Sequence, residues 1–309
     1  MGYAIGTVSD GGGHLAHHNL LLAIKSLAEA NGWVTLRHDD STENHELILK
    51  GEGLSGDREI FVGFRTYQNV SADYYNILAA AFTGYSAGAT FNDQPGAMFS
   101  GVPAHNLNID YFMSINPQVI SLGLKLGSPA VYEHAHVGYM LPYGTPQEFP
   151  VPLVCIGMLN GAAATRYSET VHSMGYRGNR ANGRLRNQAG TWLQPLAMPW
   201  AEPLIAGDGT AASVGHGRPT GDLYWMEPVQ LFDASNIYGV LDGVYQVTGF
   251  DNQTERVIQL GGSYVVDDTG KTLAEVVEEI LDDAGGRAFV TLQDVSRTGF
   301  NDHIALELR

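Results

Sequence analysis

Residues 71–84 read SADYYNILAAAFTG, and whether this stretch coils or extends decides the fold class. Ser71 offers an N-cap and Gly84 a stop, so the stretch predicts a helix over 72–83. A first helix reads more plainly over 14–30. There Leu20, Ile24 and Leu27, with Leu21 and Ala28, form one apolar stripe that Asn31-Gly32 ends. Strands are expected at 34–38, 45–50 and 59–67; in the last, Ile60, Val62 and Phe64 alternate with charged or small residues. Two helices among antiparallel strands make the expected fold class α+β.

Outward from these elements, residues 85–106 read as a long loop broken by Gly88, Pro95, Gly96, Gly101 and Pro103. A hairpin is expected next, with strands at 109–115 and 119–125 and a turn at Asn116-Pro117. A strand follows at 130–140, then a proline-rich passage over 142–152 that leads into the apolar run holding Cys155. From 159 to 228 Gly, Asn, Arg, Pro and Trp dominate and no period persists. So long a segment without regular structure is unusual inside a compact domain, and it is read as an extended irregular arm that another subunit orders. The C-terminal part reads as a small β unit with strands at 229–232, 243–248, 256–260, 263–266, 288–294 and 303–308. One helix is inserted there, at 273–283. The expected domains are therefore 1–158 (α+β), 159–228 (interaction arm) and 229–309 (β-rich).

Charged residues are only 16% of the chain and glycines number 38, which suits tight turns and surfaces that something covers. The net charge of −16 repels phosphate, so electrostatic binding of nucleic acid is disfavoured. The imbalance comes from lysine: Lys25, Lys50, Lys125 and Lys271 are all there are. Lysine is also depleted at protein–protein interfaces, where its solvated side chain is costly to order. One cysteine excludes an intrachain disulfide, and its apolar setting reads as a buried, inert thiol. Neither a signal peptide nor an apolar run long enough to span a membrane is legible, so synthesis in the cytoplasm is expected.

Two glycine motifs invite catalytic readings. Gly84-Tyr85-Ser86-Ala87-Gly88 matches a nucleophile elbow, which requires a strand before the serine and a helix after it. With a helix expected before and a loop after, it reads as a glycine-rich helix exit. Gly51-Glu52-Gly53-Leu54-Ser55-Gly56 matches a dinucleotide fingerprint, but a strand and not a helix follows, so it reads as a hairpin. His14, His17 and His18 cluster near Asp10, and His14 and His18 share a helix face. The glutamate of a His-Glu-x-x-His site is absent, Leu15 standing in its place, so a polar first turn is the reading and no metal is assigned. His134 and His136 alternate along a strand and are expected as a surface or interface pair. Arg177, Arg180, Arg184 and Arg186 form the basic cluster, expected against an acidic surface of a neighbouring subunit, with a solvated loop or DNA-backbone contact as the alternatives. With them, Tyr176, Trp192, Trp200 and Trp225 are the candidate interface anchors, joined in the arm by Tyr167 and Tyr224. No catalytic residue and no cofactor is assigned.

Several passages stand out: IFVGFRTYQ at 60–68 with DYYN at 73–76, and GVPAHN at 101–106. Further on come YMLPYG at 139–144, MLNGAA at 158–163 and RTGFND at 297–302. Together these passages resemble uncharacterised virion structural proteins of tailed bacteriophages. The resemblance implies a tail, baseplate or neck component that is present as a ring of copies and has no catalysis. Its partners would be copies of itself and other virion proteins, with no membrane, and with DNA met only in passage through a ring lumen. The order of the N-terminal elements is also similar to small tail-completion proteins, though the arm and the inserted helix depart from that plan. The competing classes are a carbohydrate-engaging receptor binder or glycan hydrolase, with Trp and Tyr stacking on sugars, and a metal hydrolase built on His14, His17 and His18.

Overall fold

Residues 74–82 form a strand, and this overturns the α+β expectation. The computed structural model describes residues 2–127, 130–168, 182–199, 225–248, 257–259, 265–266, 288–293 and 303–309. Among them is a single α-helix, α1 (Ala16–Ala30); nearly everything else that is regular is antiparallel β-sheet. Local geometry takes the place of a helix at 72–83. Asn69 caps a short 3-10 turn over Val70–Ala72 through its side-chain oxygen, and Asp73 adopts a left-handed conformation (φ 58°) that turns the chain into the strand.

A five-stranded meander runs β2 (Val34–Asp39), β3 (Glu46–Gly51), β4 (Ile60–Asn69), β5 (Tyr74–Phe82) and β6 (Met98–Pro103). Strand β5 is apolar on both sides because both of its faces are covered. Ile77, Ala79 and Ala81 join the main core, while Ala80 and Phe82 pack with Ile48 and Phe91 in a small core under the 83–97 loop. A strand buried on both faces loses the period of two that marks a half-buried one. The end of the segment expected to be a loop is itself β6. Gly101 sits there at φ 138°, where a Cβ would come within 2.2 Å of the Ile77 carbonyl oxygen, so the backbones approach more closely than any side chain permits.

The middle layer is a seven-stranded sheet in the order β1 (Gly2–Val8), β7 (Ile109–Asn116), β8 (Val119–Leu126), β9 (Val131–Tyr139), β11 (Leu153–Ile156), β12 (Arg184–Arg186) and β13 (Trp192–Leu193). The hairpin expected at 109–125 is β7–β8. The side chain of Asn116 closes its turn by accepting the amides of Gln118 (2.9 Å) and Val119 (3.1 Å). One face of this sheet meets α1 and the meander through Met113, Ile115, Ile120, Leu122, Val137 and Cys155. The other face meets a third sheet through Phe112, Tyr132, Val154, Ile156 and Leu185.

That third sheet has the order β14 (Leu196–Pro199), β15 (Trp225–Phe232), β16 (Ile237–Thr248), β20 (His303–Leu308), β19 (Ala288–Gln293), β17 (Val257–Gln259) and β18 (Val265–Val266). The short β10 (Leu141–Pro142) pairs with β16 as well. The six strands expected in the C-terminal part all occur here, while the inserted helix expected at 273–283 lies outside the described residues. The irregular arm is corrected in its described part: β12, β13, β14 and the start of β15 are strands. They extend the middle and third sheets of the same molecule.

Being sandwiched explains β9, in which every residue is buried. His134 and His136, expected at a surface or an interface, are both fully buried and face the third sheet. Cys155 is buried as expected. Burial pushes its thiol up to about 12, and its Sγ lies 3.4 Å from the Ala79 carbonyl oxygen. In the folded protein the thiol is expected to remain unmodified by Ellman's reagent and to react as one equivalent per chain in urea. Rapid modification without denaturant would contradict a seam closed between the meander and the middle sheet.

The turn at Asn116-Pro117 is where the three layers meet. Trp33 donates from Nε1 to the Asn116 carbonyl (2.8 Å), and Gly53 donates from the meander to the Pro117 carbonyl (3.0 Å). From the third sheet, Asp242 accepts the side-chain amides of Asn116 (2.9 Å) and Gln118 (2.8 Å).

Candidate functional site

Of the expected interface residues, Arg184, Arg186 and Trp192 have described side chains, and they lie together on the β12–β13 hairpin, where Arg186 pairs with Trp192. Arg177, Arg180, Tyr176 and Trp200 lie outside the described residues, as does Tyr224, and the side chain of Trp225 does too. Arg184 and Arg186 flank the buried Leu185 on β12, half-buried and on one face near an end of the middle sheet. Trp192 is half-buried: it packs against the main core, and its Nε1 donates to the Gly96 carbonyl (3.2 Å). Tyr167 also packs on that core and stacks on His105 (5.3 Å between centroids).

The glycine motifs resolve into connections. Gly53 and Gly56, at φ 69° and 76°, turn the β3–β4 hairpin, as expected. The Gly84–Gly88 pattern follows a strand, β5, and not the expected helix. No helix follows it, however, and Ser86 is exposed in a loop that Gln94 holds by bonding both the Ser86 amide (2.9 Å) and its carbonyl (3.0 Å). The downstream half of a nucleophile elbow is missing.

Two places concentrate unusual chemistry. The first is a cleft of about 290 Å³ between the β3–β4 turn and the proline-rich passage. Leu54, Tyr139, Leu141, Pro142, Pro146 and Phe149 give it apolar walls, with Arg58 at its margin. Of the seven large hydrophobic side chains exposed among the described residues, Leu54 and Leu141 line this cleft. Tyr143 is adjacent to its lining, and Ile237 begins the strand that pairs with Leu141–Pro142. Burial pushes the Tyr139 hydroxyl up to about 12, so it stays protonated and serves as a hydrogen-bond group only. Nothing in the sequence linked residues 54–58 to 139–152; the β3–β4 turn and the middle sheet bring them together.

The second place is a group of histidines at the start of α1. Residues 11–14 read GGGH; Gly12 and Gly13 take left-handed φ values (62° and 86°), so Gly11 and His14 exchange backbone hydrogen bonds of 3.0 Å across a tight turn. That turn delivers His14 beside the helix. Asp10 caps the helix by accepting the Ala16 amide (2.8 Å). His18 lies in the first turn: its Nδ1 faces the Leu15 amide at 3.4 Å and its Nε2 faces the Glu43 carbonyl at 3.1 Å. His45 comes from the meander, where Thr66 fixes it by accepting its amide (2.7 Å) and donating to its carbonyl (2.9 Å).

His18 and His45 stack at 3.9 Å between ring centroids, and His14 meets His45 edge-on at 5.6 Å. One ring nitrogen from each of the three lies within 4.8 Å of the others. The sequence grouped His14 and His18 correctly, but its third member was His17. His17 instead lies fully buried behind the group, against Tyr75, and His45 completes the trio. In the sequence His45 stood out only as the first residue of the strand expected at 45–50. Burial, then the neighbouring His45, lowers the pKa of His18 to about 4. Burial, then His14, lowers that of His45, and burial lowers that of His17 to about 3. At neutral pH His17, His18 and His45 are therefore uncharged.

No helix among the described residues is long and apolar enough to cross a membrane. Comparison with protein-family models and with curated proteins finds no match for this chain.

Proposed function

We propose that this chain is a non-enzymatic structural subunit of a tailed-bacteriophage particle, a tail, baseplate or neck component that forms a ring through protein–protein interfaces. The observation that carries the reading is the exposed apolar collar around the cleft. Monomeric proteins rarely leave large apolar side chains grouped in this way, and a neighbouring copy covering Leu54, Leu141 and the adjacent Tyr143 would remove them from water. A ring needs a heterologous contact, in which this patch meets a different surface of the next copy. Low charge, scarce lysine and the resemblance of the passages quoted above point the same way.

Leu141→Glu tests the patch, because Leu141 is 39% exposed and its backbone pairing with Val240 does not depend on its side chain. The substitution is expected to weaken each interface by about 2 kcal/mol or more, roughly 30-fold, while shifting folding stability by no more than about 0.5 kcal/mol. Val70→Glu is the control. It lies beyond the far end of the ten-residue β4, about 30 Å from the cleft, and should assemble normally. Negative-stain imaging reads both variants; rings of ordinary number from Leu141→Glu would sink the assignment of this patch.

A further inference from the structure

The geometry points to a divalent transition-metal site formed by His14, His18 and His45, with zinc as its natural occupant. Three imidazoles from three chain segments converge there: the glycine turn, the first turn of α1 and the lead into β3. Four-coordinate zinc, with nitrogens at 2.0–2.1 Å, holds its ligands about 3.3 Å apart, so separations of up to 4.8 Å must close by roughly 1.5 Å. The half-buried His14, carried on a glycine turn, supplies that movement by rotating about its side-chain bonds.

Two further features favour a metal over a simple stack of rings. His45 is 6% exposed, and its Nδ1 is buried with no hydrogen-bond partner, a lone pair or N–H that the fold leaves unused. His18 already has the outer contact of a metal ligand. Its Nε2 donates to the Glu43 carbonyl, which fixes the tautomer and leaves Nδ1 as the donor atom, opposed only by the long contact to Leu15. The surroundings suit a cation: Asp10 acts electrostatically on His18, and Asp39 and Asp40 act on His45. Nitrogen-only donors select zinc, copper or nickel over magnesium and calcium. Bound to the three histidines, the ion would fasten the 10–14 turn and α1 to the meander. This site stands independently of the assembly reading.

The test uses the full chain without a polyhistidine tag, stripped with a chelator and dialysed. Equilibrium dialysis against zinc chloride should give one zinc per chain, and cobalt should give the visible absorption of a tetrahedral nitrogen-ligated centre. His14→Ala, which touches no core position, should weaken zinc binding at least about 100-fold and abolish the cobalt spectrum with circular dichroism unchanged. His105→Gln should bind as the parent does. Fewer than half an equivalent of zinc bound by the folded parent, or undiminished binding by His14→Ala, would overturn the site.

Discussion

Replacing Asp242 with alanine is expected to lower the free energy of unfolding by about 3–5 kcal/mol, the range seen when one partner of a buried ionic network is removed. Asp242 is 3% exposed and accepts from Asn116, Gln118 and the Arg309 guanidinium at once. Alanine would strand two buried amides and leave Arg309 with Glu307 alone, at 3.2 Å. Asn116 also closes the β7–β8 turn and receives Trp33, so the loss spreads to the point where all three sheets join. Asp242→Asn should recover little, because its NH2 faces donors. Urea unfolding at pH 7.5 would read the loss as a lower midpoint with an unchanged slope. A change below about 1 kcal/mol would mean that the seam between the middle and third sheets does not depend on this carboxylate.

Acid should weaken the same seam through His136. This imidazole is fully buried on β9, shares a 2.8 Å hydrogen bond with Ser121, and keeps its Nε2 without a partner. Burial lowers its pKa from 6.5 to about 4; facing it across the seam, Asp242 opposes the shift and Arg309 adds to it. Among the described residues, Glu307 and His134 are also buried in this layer. The unfolded chain binds this proton below pH 6.5 and the folded chain only below about 4. The contribution is therefore fully present above pH 6.5 and is lost as pH falls towards 4, reaching roughly 3 kcal/mol there. His17 and His18, lowered to about 3 and about 4, add to the same limb. His136→Gln should accordingly reduce the slope of stability against pH between 4.5 and 6 by one proton's share. An unchanged slope would show that His136 is protonated within the fold.

What the sequence made legible follows from solvent. Where one face of an element meets water, the pattern spoke: α1 carries its apolar stripe, β4 alternates, and the third sheet's strands fell where turn residues bounded them. Strand β5, covered on both sides, carries no such period. Residues 77–82 are apolar throughout because two cores claim them, and their alanines, good helix formers, then tipped the reading the wrong way. His134 and His136 sounded like a surface pair for the same reason. Strand β6 was hidden by Gly101 and Pro103, residues that usually break strands and here allow a close backbone approach at its edge. Strand β1 was also missed, a short alternation of Tyr3 and Ile5 with Ala4 and Gly6 at the sheet edge.

The candidate sites were legible only within one helix turn. His14 and His18, four residues apart, were found; His45 is contributed by a strand, and no local spacing connects it. The cleft likewise joins a hairpin turn to a proline passage some eighty residues on, which only the sheet order explains.

The central claim is that the chain works as one subunit of an assembly. Light scattering coupled to size exclusion, on the tag-free protein at micromolar concentration, measures this directly. The account predicts a molar mass that is a fixed multiple of 33.3 kDa and falls towards 33.3 kDa in Leu141→Glu. A parent protein that elutes as a 33.3 kDa monomer at every concentration tried would contradict it.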